Sequence, residues 1–376
     1  MAQVIEVASE RPLVEAESID PVITRLSVLN RFLPLWILMA MAAGLVLGRT
    51  IPSLNSRLNA VHVTSGTSLP IFIGLLVMMY PVLAKVRYDE LGTVTRDRRT
   101  LVSSLVINWV IGPLVMFTLA WLMLPDLPAY RTGLIIVGLA RCIAMVLIWN
   151  DLALGDREAA AVLVALNSLF QVVAFALLGY FYLKVFPGWL GLHTQGLELS
   201  IWRVAETVAI FLGIPLVAGY LTRTIGERRR GREWYETKLI PRIAPFALYG
   251  LLYTIVILFA LQGHTITSHP ADVARIALPL LAYFAIMWFG TFAYGRAIGL
   301  PYERTATLSF TAAGNNFELA IAVAIGVFGV TSGEALAGVV GPLIEVPVLV
   351  GLVYVSLWAR GHYTPPPPRP SLNGAR

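Results

Sequence analysis

Ten apolar runs divide this chain of 376 residues, at about 33–49, 66–84, 101–124, 132–150, 159–183, 202–222, 244–261, 276–298, 305–328 and 335–358. A helix needs about 20 apolar residues to cross the hydrocarbon core of a bilayer, and inside lipid it must satisfy its own backbone groups. The runs predict an all-α integral membrane protein of ten transmembrane helices. With 57% hydrophobic and 13% charged residues, the chain carries about half the charge of a soluble domain.

An even number of crossings puts both ends on one side. Lys and Arg number 21 in the tails and loops of that side and 6 in those of the other, which predicts cytoplasmic termini. The same rule accounts for the net charge of +6 and for the basic loops Lys85–Arg99 and Gly226–Arg232. Membrane lipids are therefore expected as partners and nucleic acid is not. The start of the chain, Met1 to Asn30, lacks the basic start and apolar run of a cleaved signal peptide. The run Thr364-Pro-Pro-Pro-Pro-Arg-Pro370 reads as an extended tail.

The two halves match at an offset near 176 residues. Ala43-Gly44 answers Ala218-Gly219, Gly74-Leu-Leu76 answers Gly250-Leu-Leu252, Gly138 answers Gly314, and Glu158-Ala159 answers Glu334-Ala335. Five crossings per half is an odd number, so the second half enters the membrane upside down. The expected organisation is a cytoplasmic N-terminal tail (1–32), a first five-helix repeat (33–184), an extracytoplasmic connection (185–201), a second, inverted repeat (202–360) and a Pro-rich cytoplasmic tail (361–376). Inverted repeats characterise secondary transporters, whose sites lie near the midplane where interrupted helices meet. The fourth and ninth spans are expected to be discontinuous and to cross there, because Gly138 and the run Ala313-Gly314-Asn315-Asn316 weaken helix continuity.

The offset carries Cys142, the only cysteine, onto Glu318. A buried cysteine alone is usually a small packing hydrophobe. Here the guanidinium of Arg141 adjoins it and would favour the thiolate, the form that ligates soft ions. An arginine in mid-membrane needs a partner or a wet cavity; a structural ion pair with Glu318 or Glu345 and a role in tuning the site are the two readings, of equal weight. Glu318 closes the polar stretch Ser309–Glu318 and is the candidate for taking up and releasing a proton. Asn315 and Asn316 can bind a hydroxylated solute, join Glu318 around sodium, or simply tie helices together. Glu345, between Pro342 and Pro347, pairs with Arg141 or carries protons. Asn108, Asn150, Asn167 and Gln171 are supporting hydrogen bonders. One cysteine excludes a disulfide framework, no metal site is expected at His264 and His269, and no nucleotide-binding loop implies an ATPase. No cofactor and no enzymatic constellation is expected.

The segments Tyr80–Tyr88, Gly138–Val146 with Trp149-Asn150-Asp151, Ala313–Ala322 and Gly341–Val348 closely resemble the arsenical-resistance permeases. The resemblance runs from the first span to the tenth. It implies the bile-acid-transporter-like architecture of panel and core domains, a plasma (inner) membrane location, and arsenite as exported cargo, with antimonite a second candidate. It also puts the family's functional cysteine at Cys142 and its functional glutamate at Glu318. The expected site comprises Cys142 on arsenic, Asn315 and Asn316 on its hydroxyls, Glu318 exchanging cargo for a proton, and Arg141, Glu345, Gly138 and Gly314 in support. A sodium-coupled symporter of organic anions is the nearest alternative, and a membrane sensor or scaffold a more distant one.

Overall fold

The computed structural model describes residues 32–51, 53–54, 58, 62–64, 67–87, 98–143, 145–192, 200–268 and 270–363. Residues 1–31 and 364–376 of the tails, most of the first basic loop, His269 and the side chain of His264 lie outside the described residues. Helices account for nearly all of the rest. They are α1 (Leu33–Thr50), α2 (Leu69–Ala84), α3 (Arg98–Met123), α4 (Pro128–Leu139), α5 (Met145–Leu152), α6 (Arg157–Trp189), α7 (Ile201–Arg230), α8 (Arg232–Leu261), α9 (Pro270–Ala297), α10 (Tyr302–Ala313), α11 (Phe317–Phe328) and α12 (Gly333–Gly361). A two-strand hairpin, β1 (His62–Thr64) with β2 (Thr67–Ser68), precedes α2 and qualifies the all-α expectation. Among the described residues, α3, α6, α7, α8, α9 and α12 are long and apolar enough to cross a membrane; α1, α2 and α11 are apolar but shorter.

Prolines shape the long helices in a regular way. The π-turns Ile107–Ile111, Phe181–Val185, Ala209–Gly213 and Tyr235–Leu239 are each followed, after one residue, by Pro113, Pro187, Pro215 and Pro241. Proline offers no N–H and its ring collides with the carbonyl four residues back; a widened turn relieves that collision without ending the helix. α6 consequently continues through the π-turn to Trp189, into the segment expected to be a connection.

Helices α1, α2, α7 and α8 pack as one group, and the remaining helices form a second around α9, α10 and α12. Glycine makes the first group tight. A Cβ on Gly44 would lie 2.7 Å from Phe259 Cβ and 3.1 Å from Ala260 N, and one on Gly219 would lie 2.8 Å from Leu83 C and Ala84 N. A Cβ on Gly74 would meet Thr254 Oγ1 at 2.8 Å, and one on Gly250 would meet Met78 N at 2.7 Å. In lipid, where apolar surface gains little by leaving the solvent, such close backbone approach is what holds helices together.

The starts of α6 and α12 are built alike. Asp156 accepts from Ala159 N at 3.0 Å, and Ser332 accepts from Ala335 N at 3.1 Å, with Glu158 and Glu334 in the respective first turns. Each cap satisfies an amide the first turn leaves orphaned, worth about 1 kcal/mol.

Candidate functional site

Two of the expected spans are each a pair of short helices around an extended segment. Between α4 and α5 the chain runs extended from Ala140 (φ −86°, ψ 108°), and between α10 and α11 it does so at Gly314 (φ −70°, ψ 142°). The two extended segments lie antiparallel, with Arg141 and Asn315 forming a β-bridge. Cys142 N donates to Gly314 O at 3.3 Å, and Asn316 N donates to Ala140 O at 2.9 Å. Breaking a helix inside a membrane frees amides that must find acceptors. Here each break serves the other, and side chains complete the set: Gln171 Oε1 accepts from Arg141 N at 3.0 Å, and Glu345 Oε1 accepts from Asn315 N at 3.1 Å.

Gly138 behaves differently from expectation. It remains inside α4, and a Cβ there would lie 2.6 Å from Met116 Cγ, so its role is to let α4 lie against α3. Gly314 does stand in the break, but in a backbone conformation open to any residue. What requires glycine there is space, since a Cβ would fall 2.9 Å from Cys142 Cβ and 3.5 Å from its Sγ.

The two asparagines divide the work. Asn315 Nδ2 donates to Val137 O at 2.8 Å and Ala140 O at 3.4 Å, holding the end of α4. Asn316 Oδ1 accepts from Leu319 N at 3.0 Å and caps α11. Those bonds fix both amide orientations, leaving Asn315 Oδ1 as a buried acceptor and Asn316 Nδ2 as a buried donor without partners among the described residues. Cys142 is buried between these segments. Glu318 sits in the first turn of α11, half-buried among fully buried neighbours.

A sequence profile of the Sodium Bile acid symporter family matches residues 72–269. An arsenical-resistance protein Acr3 of Corynebacterium glutamicum is 59% identical over 334 residues, 89% of this chain and 90% of that one. The chain belongs to the arsenical-resistance branch of the Sodium Bile acid symporter family. The Acr3 of Alkaliphilus metalliredigens is 31% identical over 89% of this chain and 94% of its own, and an uncharacterised transporter of Synechocystis sp. is 34% identical over 88% of each. These relatives mark the chain as a membrane transporter rather than an enzyme.

Against that family background the placement of Arg141 is informative, because it corrects the ion-pair reading. Its side chain is fully buried, yet neither Glu318 nor Glu345 pairs with it. Its Nη1 donates to Tyr283 Oη at 2.7 Å and to Ala312 O at 3.5 Å, and its Nη2 donates to Gly138 O. Tyr283, on α9, was not singled out from the sequence, although a phenol inside the run Leu278–Trp288 is a polar tip needing a partner. Gly112 also escaped notice; a Cβ there would fall 2.7 Å from Arg141 Nη1. The supporting amides hold as expected: Asn150 Oδ1 accepts from Thr307 Oγ1 at 2.7 Å, Trp109 Nε1 donates to Asn167 Oδ1 at 3.2 Å, and Asn108 Nδ2 donates to Ser104 O at 2.9 Å. No group of His, Cys, Asp and Glu suited to a metal occurs among the described residues.

Proposed function

We propose that this protein is a secondary active transporter that exports arsenite across the plasma membrane in exchange for protons, with both termini in the cytoplasm. Arsenite at neutral pH is mainly a neutral trihydroxide whose arsenic favours sulfur and whose hydroxyls both donate and accept. The carrying observation is the setting of Cys142. The one thiol lies against the Gly314–Asn316 segment, and that segment offers an unused acceptor at Asn315 Oδ1 and an unused donor at Asn316 Nδ2. In this reading Cys142 contacts arsenic, the two amides take its hydroxyls, and Glu318 binds a proton when cargo has left. A single sulfur with oxygen and nitrogen neighbours holds arsenic weakly enough to release it, where three thiolates would not. Two relatives bear the name arsenical-resistance protein, which supports this cargo and does not favour organic-anion symport.

The architecture that goes with this function is ten crossings in two inverted repeats, α4–α5 and α10–α11 each counting as one broken crossing. Reciprocal packing supports it. Gly44 lies on Phe259 and Ala260 while its counterpart Gly219 lies on Leu83 and Ala84; Gly74 meets Thr254 while its counterpart Gly250 meets Met78. At an offset of 176, that of Gly74 and Gly250 and one more than that of Gly44 and Gly219, residues 259, 260 and 254 correspond to 83, 84 and 78. A pseudo-twofold axis in the membrane plane produces that kind of exchange.

Proton entry can drive export, since one charge moving down the membrane potential is worth about 2.3 kcal/mol per 100 mV. The test is arsenite uptake by everted membrane vesicles with an acid interior. Wild-type vesicles should accumulate arsenite and lose luminal protons as they do so, and Glu318→Gln should do neither. Accumulation by the wild type without proton loss would remove the exchange step; no accumulation would remove the cargo.

A further inference from the structure

Helices α4 and α10 both run toward the crossing and end there, at Leu139 and Ala313. The C-terminus of a helix carries roughly half a negative charge, so two of them meeting in a low-dielectric setting present about one negative charge with no acidic side chain involved. In transporters with broken helices, such ends and the unwound carbonyls beside them are where a coupling cation is coordinated. Here a cation is already present and is covalently attached. The Arg141 guanidinium donates to Gly138 O in the last turn of α4 and to Ala312 O in the last turn of α10, and Tyr283 Oη fixes its direction. The guanidinium is opposite in sign to these two carbonyl ends; α5 and α11 begin at the same breaks with the opposite polarity, so the match is local to the ends of α4 and α10. Space has been left for the guanidinium, because Gly112 presents no Cβ where one would lie 2.7 Å from Nη1.

We infer that Arg141 is a tethered cation that neutralises the two converging helix ends, so that this transporter holds its crossing together without sodium. A dissociable cation would be bound and released once per cycle. A tethered one stays, which leaves coupling to a group that can change its charge. Arg141 is thus a positioning residue for the site, and Tyr283 positions Arg141. The transport part of this inference rests on the proposed arsenite export; the charge-neutralisation part does not.

The experiment follows the full-length protein by thermal unfolding in detergent and by proton-driven arsenite uptake in everted vesicles, in sodium, potassium or choline salts of equal ionic strength. Wild type should be indifferent to the choice of salt in both measurements. Arg141→Ala should unfold at a lower temperature, transport at least about tenfold more slowly, and recover part of both losses in millimolar methylguanidinium but not in choline. Arg141→Lys, which keeps the charge, should stay indifferent to sodium, and Tyr283→Phe should unfold between wild type and Arg141→Ala. If Arg141→Ala cannot be recovered folded, the salt response of wild type and of Arg141→Lys and the unfolding of Tyr283→Phe decide. A sodium requirement in wild type overturns the inference. So does an Arg141→Ala protein equal to wild type, or one whose losses methylguanidinium leaves untouched. Wild-type vesicles that fail to take up arsenite would instead contradict the proposed cargo, while the unfolding measurements would still test the tethered charge.

Discussion

The two broken crossings share a geometry and differ in what surrounds it. Past the second break, α11 is buried continuously from Leu319 to Val327, packed on α4 and α12 and on α2 and α7 of the first helix group. Past the first break, α5 packs on α6, α10 and α12, and Met145, Leu147 and Ile148 are only half-buried. A solute approaching along α11 would have to separate a sealed interface, with Thr207 of α7 so close to Gly326 that a Cβ there would lie 2.5 Å from Thr207 Cγ2. Along α5 there is much less to displace. In the proposed orientation α5 points to the cytoplasm, the side on which an exporter loads. The chemistry differs as well: the first break supplies the thiol and the fixed positive charge, the second supplies neutral amides and the carboxyl of Glu318.

The largest expected effect comes from forcing the two breaks apart. Gly314→Val places methyl groups where a Cβ already meets Cys142 Cβ at 2.9 Å. It should abolish transport and cost about 1–3 kcal/mol of stability, as overpacking does, measured by vesicle uptake and thermal unfolding. The asparagines should then separate by role. Asn315→Ala removes the donor to two carbonyls of the α4 end and should cost about 1–3 kcal/mol as well as transport. Asn316→Ala removes a cap and should cost about 1 kcal/mol, whereas Asn316→Asp keeps the cap and loses the free donor, so it should retain stability and still lose uptake. Equal losses of stability in Asn315→Ala and Asn316→Ala would show that the two asparagines of the second break do not divide the work in this way.

Single-cysteine labelling tests the difference in cover. In a Cys142→Ser background the chain has no other thiol. Ile148→Cys on α5 should react with maleimide at least about tenfold faster than Ile325→Cys on α11, whose reaction waits on local opening. The smallest effect lies at the other end of α4. Arg275 binds Asp126 through both carboxylate oxygens, at 2.7 and 2.5 Å, clasping the α3–α4 turn to α9. That hydrogen bonding, with the guanidinium charge behind it, holds the Asp126 carboxyl down to about 2. A depressed carboxyl stabilises the fold above its ordinary range near 4, and that contribution fades as pH falls toward about 2. The small difference in unfolding temperature between wild type and Asp126→Asn should be present at pH 6 and vanish over that window.

Much of this site could be read from residue order, because cost in a membrane is strict. Cys142, Glu318 and the asparagines stood out as polar groups inside apolar runs, and Gly44, Gly74, Gly219 and Gly250 stood out as matches between the two halves, without the contacts they make being visible. What could not be read was how each group is satisfied. An ion pair with a carboxylate was one of the two readings of Arg141, since a sequence displays acidic side chains but not the partial charge of a helix end. Gly138 was expected to break its helix and instead fits it against Met116, because glycine serves close packing as readily as flexibility. Tyr283 and Gly112 lie far from Arg141 in the chain and show themselves only when α3 and α9 are folded around it.

The central claim is that the thiol at the crossing carries the cargo. Arsenite uptake into everted vesicles under an imposed acid-interior gradient, comparing wild type with Cys142→Ser, tests it most directly. The substitution changes one atom in a buried position that the backbone bonds of the crossing hold independently. The account predicts gradient-dependent accumulation by the wild type and its loss in Cys142→Ser at unchanged protein level and unfolding temperature. Accumulation by Cys142→Ser at the wild-type rate would contradict it.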